Sequence, residues 1–479
     1  MTESLLKKLK QYHNTMLPMH MPGHKRNLAL SGEDGYLAAL RADCDITEVA
    51  GFDNLAEPED LLLHVNQRAA ALWHSDASYL LVNGSTCGIL AAIYATVPRE
   101  GRVVMTRNCH KSVYNGLQLV NAKATYLLPE MDTATGTYGE LLPETVEAEF
   151  QEQGKADLLI LTSPTYEGVI SNVEEICRIA HAYGVPVLVD SAHGAHLGFG
   201  AFPKGAVECG ADLVVQSLHK TLPSLTQTAV LHRNGAFVCD NALRNAINMF
   251  QTSSPSYLLL ASMEGCISLL EEQGETLFAD WKQALDDFYR RMEDLKLLCV
   301  VGAKAPDTAS GADGVVRDKS KLVICTAGTN LSGAELMERL RKEFRIEAEM
   351  AAEQYVLAMT GMGDTKESLF RLAEALQAID AECKRKDAIK PEYPGFPQQK
   401  MSVEEALALT ETEKKILDAV GSTAAEYVWA YPPGIPILVP GEEISEEIVR
   451  FLSGKNRWGI RLHRSTAGNG DSIRCVQEV

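Results

Sequence analysis

The sequence is short of positive charge. Its 45 lysines and arginines face 64 aspartates and glutamates, a formal net charge of -19 over 479 residues. Nucleic acids and anionic lipid surfaces are gripped through basic patches, so neither is an expected partner. The deficit suits a cationic small substrate, although solubility alone also explains it. Also missing is any Cys-x-x-Cys pair: the 11 cysteines are scattered from Cys44 to Cys475. That spacing points away from both a zinc site and a disulfide framework, and no metal is expected. The thiols read as small buried hydrophobes in a reducing compartment. No run approaches the roughly 18 apolar residues of a membrane span, and the opening MTESLLKKLKQYHNTM lacks the pattern of a signal peptide. A cytoplasmic protein with no membrane partner is the expectation.

What is present is an ordinary globular composition, 46% hydrophobic and 23% charged, in a chain long enough for two or three domains. From about residue 56 to 295 helical patterns alternate with short apolar runs such as ASYLLVNG, RVVMTRN, ADLLILTSP, VPVLVDSAH, ADLVVQSLH and QTAVLHR. Runs of that length, apolar on both faces, predict a largely parallel sheet covered by helices. Ligands of such sheets gather where strands end and loops begin. The expected divisions are a large domain over 56–296, a small α/β domain over 297–386, a charged, proline-bearing linker over 387–400 and a C-terminal domain over 401–479.

The unusual polar residues fall at those strand ends. Lys220 follows the apolar run ADLVVQ, where a partly buried amine has its pKa lowered and becomes a nucleophile toward a carbonyl, which suggests Schiff-base chemistry. Asp190 ends VPVLVD, where a carboxylate needs a cationic partner. Asp190 and Lys220 are either a buried salt bridge or two groups addressing one cofactor. Gly84, Ser85 and Thr86 open a helix after a strand and suit a phosphate, although Ser and Thr are also ordinary caps. His110 stands where an imidazole would stack on an aromatic ligand, or cap a helix. The hydroxyls of Thr162–Gly168 (TSPTYEG) either face a ligand phenolate or belong to a turn organised by Pro164. A lysine, a carboxylate, phosphate donors and a stacking group are what pyridoxal 5'-phosphate requires.

On MPGHK, DITEVAGFDNL, RNCHKS, SPTYEG, DSAHGAH, SLHK and YPPGIP, in that order along the chain, the sequence resembles the ornithine/lysine/arginine decarboxylases among the fold-type I pyridoxal-phosphate enzymes. The resemblance implies an aspartate aminotransferase-like α/β fold with a mostly parallel central sheet, a small α/β domain and a C-terminal domain. It implies decarboxylation of a basic L-amino acid to the polyamine-pathway amine and carbon dioxide. Lys220 would form the Schiff base, Asp190 would pair with the pyridinium nitrogen and His110 would stack on the ring. Ser85, Thr86, Ser217 and His219 would hold the phosphate, with His193 and Thr165 near the phenolic oxygen. Lys220 or His219 would return a proton to the α-carbon. Only 20 residues precede MPGHK, whereas the long members carry a regulator-like domain there. A homodimer or dimer of dimers is therefore expected rather than a large ring, with residues 1–55 serving the dimer and its active sites.

Glu349, Glu48 and Asp53 are the candidates for binding the substrate's distal cation, each also readable as an exposed carboxylate. The alternatives are a fold-type I aminotransferase and an inactive pyridoxal-phosphate-binding regulatory subunit. An aminotransferase of this fold usually clamps the α-carboxylate with a small-domain arginine. EQYVLAMTGMGDTKES contains none, leaving Arg345 and Arg461 as substitutes. The lysine, aspartate and histidine, all intact, oppose the inactive reading.

Overall fold

The computed structural model describes residues 4–15, 25, 27, 35–132, 137–303, 315–387, 395–431, 434–454, 461–466 and 471–477. MPGHK and the two adjacent prolines of YPPGIP lie wholly or largely outside them. Eight strands are met first: β1 (Ala77–Leu81), β2 (Arg102–Thr106), β3 (Lys123–Leu127), β4 (Leu158–Thr162), β5 (Val169–Ile170), β6 (Val187–Asp190), β7 (Leu213–Ser217) and β8 (Ala229–Arg233). The chain divides into two compact units. One draws on Met1–Thr96 and Ser191–Ala279, the other on Val97–Asp190 and Asp280–Val479.

In the first unit β8 lies between β1 and β7 and runs antiparallel to both. The connection from β7 to β8, residues 218–228, is too short for the helical crossover that a parallel pair needs, so the strand reverses instead. QTAVLHR is thus an antiparallel member of the kind that a largely, not wholly, parallel arrangement allows. Every residue of β7 is buried, which is why its sequence shows an apolar run rather than alternation. Helix Gly84–Thr96 packs over these strands so closely that a Cβ on Gly88 would come within 2.7 Å of Leu81 Cδ1 and 3.0 Å of Val215 Cγ1. A glycine at that point sets the depth of the helix, and with it the position of residues 84–86.

The second unit holds the parallel strands, in the order β6-β4-β2-β3. Its small antiparallel sheet joins Lys321–Cys325 to Tyr355–Met359 and Cys299–Val300, with Met350–Ala351 at the edge. Helices Gly333–Phe344 and Lys366–Glu382 accompany it, both opened by capping boxes. The C-terminal region carries the ladder Glu411–Lys415 with Ser472–Val476 and the three strands Pro436–Leu438, Val428–Tyr431 and Arg461–Arg464. Its own apolar core includes Val428, Leu438, Ile448 and Ile473. Tyr257–Met292 is a single long helix. All 11 cysteines are free thiols. No helix among the described residues is long and apolar enough to cross a membrane.

Candidate active site

In the first unit, β7 delivers Ser217 to the start of a one-turn helix, Leu218–Thr221, so the sequence places Lys220 within four residues of a fully buried strand. The Lys220 amine is half-buried and lies 2.9 Å from His193 Nε2. His219 has a partner of its own: its Nδ1 lies 2.8 Å from the Thr228 carbonyl, so that nitrogen carries the proton. Burial lowers the His219 pKa, which favours the neutral ring with Nε2 as an acceptor. The hydroxyls of Ser217, Ser191 and Thr221 are buried and make no hydrogen bond within the protein. Buried hydroxyls are ordinarily satisfied, so a group of orphans marks a place for an acceptor-rich ligand. Gly84, Ser85 and Thr86 open their helix from the end of β1; Gly84 and Ser85 are half-buried and Thr86 is exposed.

In the second unit, the parallel register brings polar residues to the same end of the sheet. Asp190, 5% exposed, is level with Thr162 on the neighbouring strand. Thr162 Oγ1 reaches Cys109 Sγ, and the Asp190 charge helps hold that thiol's pKa up, after burial itself, at about 12. His110 follows directly. It caps helix Lys111–Val120, accepting at Nδ1 from the Ser112 amide at 3.2 Å, with the Ser112 hydroxyl at 2.8 Å. That contact fixes the ring's orientation and leaves Nε2 to carry the proton of the neutral form. Capping and presentation to a ligand are thus compatible in one residue. Thr165 is buried in a turn, its amide donating to the Val169 carbonyl and its hydroxyl accepting from the Val169 amide.

The three distal-cation candidates separate. Glu349 is exposed and accepts from Tyr166, next to Thr165. Asp53, with φ of 68°, is spent on structure: its two oxygens accept from the amides of Asn54, Glu59, Asp60 and Leu62, fastening the start of helix Leu61–Trp73. Glu48 is half-buried and acts on the Tyr257 phenol, whose pKa is raised by burial first and by the charges of Glu48 and Asp53 after it. Arg345, the proposed substitute clamp, is an exposed left-handed cap of helix Gly333–Phe344. The side chain of Arg461 lies outside the described residues.

Sequence reasoning passed over several groups. Ser191 and Thr221 stand directly beside Asp190 and Lys220, and the adjacency was the available signal. Arg107 is fully buried at the end of β2, paired with Glu442. The pair is separated by more than 300 residues of sequence, and no local pattern joins them.

Residues 3–315 match the family model described as Orn/Lys/Arg decarboxylase, major domain, and residues 386–462 the corresponding C-terminal domain. An arginine decarboxylase of Halalkalibacterium halodurans is 29% identical, covering 97% of this chain and 95% of its own. A Bacillus subtilis protein, YaaO, described as uncharacterised, is 33% identical over 91% and 90%. Among solved structures, lysine decarboxylase A of Pseudomonas aeruginosa superposes with a TM-score of 0.81 at 19% identity, covering 99% of this chain and 80% of that one. That likeness is one of fold.

Proposed function

Because the chain belongs to the Orn/Lys/Arg decarboxylase family, we propose that it removes the α-carboxylate of a basic L-amino acid, arginine first among them, using pyridoxal 5'-phosphate. The observation that carries the reading is the Lys220 amine beside His193, at the end of a buried strand and among buried hydroxyls with no protein partner. Those hydroxyls suit the phosphate and phenolic oxygens of the cofactor. Arginine is favoured because several relatives similar over nearly their whole length are named arginine decarboxylases.

When bound, the cofactor supplies an aldehyde that condenses with amines and a ring that accepts the electron pair freed at the α-carbon. Asp190 would hold a proton at the pyridine nitrogen, since a cationic partner lowers the cost of burying a carboxylate. His110, its ring fixed through Ser112, would cover one face and exclude water. Ser217, with Ser85 and Thr86 at a helix start, would bind the phosphate, where amides and dipole favour an anion. Thr165 would lie toward the phenolic oxygen. The neutral His219, protonated on the side of Thr228, is poorly suited to give up a proton. Return of a proton to the α-carbon therefore falls to Lys220, with His193 Nε2 beside its amine. Segment 353–368 offers no arginine to hold the departing carboxylate. Glu349 would receive the distal cation. The working unit is a homodimer in the cytoplasm.

The test is incubation of purified protein with arginine, lysine and ornithine separately. Carbon dioxide with agmatine, cadaverine or putrescine identifies reaction and substrate together, whereas keto-acid formation indicates transamination. Lys220→Ala should lack the yellow chromophore that borohydride abolishes in the parent protein. A covalent adduct formed elsewhere in that variant would show that another lysine holds the cofactor.

A further inference from the structure

Arg107 leaves the end of β2 three residues before His110 and is completely buried. Its Nε and one terminal nitrogen grip the two oxygens of Glu442 at 2.7 and 2.9 Å. The other terminal nitrogen donates to the Pro436 carbonyl at 2.8 Å and to the Tyr114 hydroxyl at 3.0 Å. Tyr114 in turn donates to the Arg107 carbonyl at 2.6 Å, closing a ring around the segment that precedes His110. Glu442, 1% exposed, also accepts from the Val439 amide. On the far side of His110, the Lys111 amide donates to the Gly434 carbonyl at 3.0 Å, and the Lys111 ammonium stands 5.1 Å from the Trp429 ring. The histidine is thus bracketed by contacts to the C-terminal region, with Pro436 and Glu442 on the side before it and Gly434 and Trp429 on the side after.

A fully desolvated ion pair is a poor way to gain stability, because apolar side chains of equal volume hold a core as well. What a guanidinium fork gripping a carboxylate provides is fixed geometry. We propose that Arg107 and Glu442 form a latch through which the C-terminal region positions the His110 imidazole. Arg107 is a positioning residue, acting on the ligand through His110. The inference rests on His110 facing a cofactor as proposed above, but the latch itself can be read without one.

The test compares the parent protein with the double variant Arg107→Met/Glu442→Gln, which leaves no buried charge unpaired and so is expected to melt near the parent temperature. In cofactor-free protein, amide exchange over residues 107–113 should quicken about tenfold while the rest of the C-terminal region is unchanged. Pyridoxal phosphate should bind about tenfold more weakly, with a smaller visible circular dichroism band, because a misplaced ring stacks less well. Glu442→Asp, which keeps the charge pair but retracts the carboxylate, should move the same readouts in the same direction if the double variant fails to fold. A folded variant with parental exchange at 107–113 and parental cofactor affinity overturns the latch. If the parent protein binds no pyridoxal phosphate, the functional reading fails while the exchange comparison still decides whether the latch exists.

Discussion

An aspartate is worth what its two oxygens face, and two aspartates here make opposite cases. Asp53 faces four backbone amides, whose hydrogen bonds hold its pKa down against the opposing effect of burial. Asp53→Ala is expected to cost about 1–2 kcal/mol of stability, as the loss of a helix cap does, visible in thermal melts with no change in KM. Asp190 stands at a strand end beside a polar neighbour on β4. Asp190→Asn should still bind the cofactor but lose about 10²–10³ in kcat, the usual scale for removing one preorganised electrostatic group. Glu349→Gln should raise KM for a basic substrate about tenfold and leave the chromophore alone, in keeping with one charge-assisted contact. Asp190 was already set apart by the apolar run it ends, but Asp53 and Glu349 stood in the sequence as equal candidates for the distal cation. Only their partners distinguish those two, and partners come from the fold.

At the scale of elements, the strand ends were legible because a strand buried on both faces leaves a continuous apolar run, and its polar terminus then stands out. That logic singled out Asp190, Lys220 and His110, and each does stand at or just past the end of a strand. It did not find the reversal of β8, which depends on the length of the connection, nor the role of the TYEG turn. Gly168, with φ of 92°, ends that turn, and a Cβ there would sit 2.9 Å from the Asp318 carbonyl. The Asp318 amide donates to the Gly168 carbonyl at 2.7 Å, so this turn is bonded to the loop before Lys321–Cys325. Gly168→Ala should therefore cost about 1–3 kcal/mol through backbone strain and overpacking, and chemical denaturation would measure it. A variant of parental stability would mean that the turn yields freely.

At the scale of the whole molecule, stability should depend on pH through buried imidazole. His232 is fully buried, with Ser78 Oγ at 2.7 Å from Nδ1 and Gln216 Oε1 at 3.2 Å from Nε2, and burial lowers its pKa to about 3. The folded form is neutral where the unfolded chain would take up a proton, so this contribution is complete above about pH 6.5 and declines as pH falls toward 3. The decline should approach about 1.4 kcal/mol per pH unit. Melts between pH 7 and 5 should show a shallower dependence in His232→Gln than in the parent protein, and equal slopes would remove His232 as the cause. The sequence by itself determined the alternation of helices and apolar strands, the acidic balance and the identity of the family, because these are written in local pattern and ordered motifs. Tertiary structure alone decided which carboxylates were spent on backbone amides, which hydroxyls lacked a protein partner, and that Arg107 meets Glu442. Such pairings depend on desolvated side chains brought together from distant parts of the chain, and no local spacing encodes them.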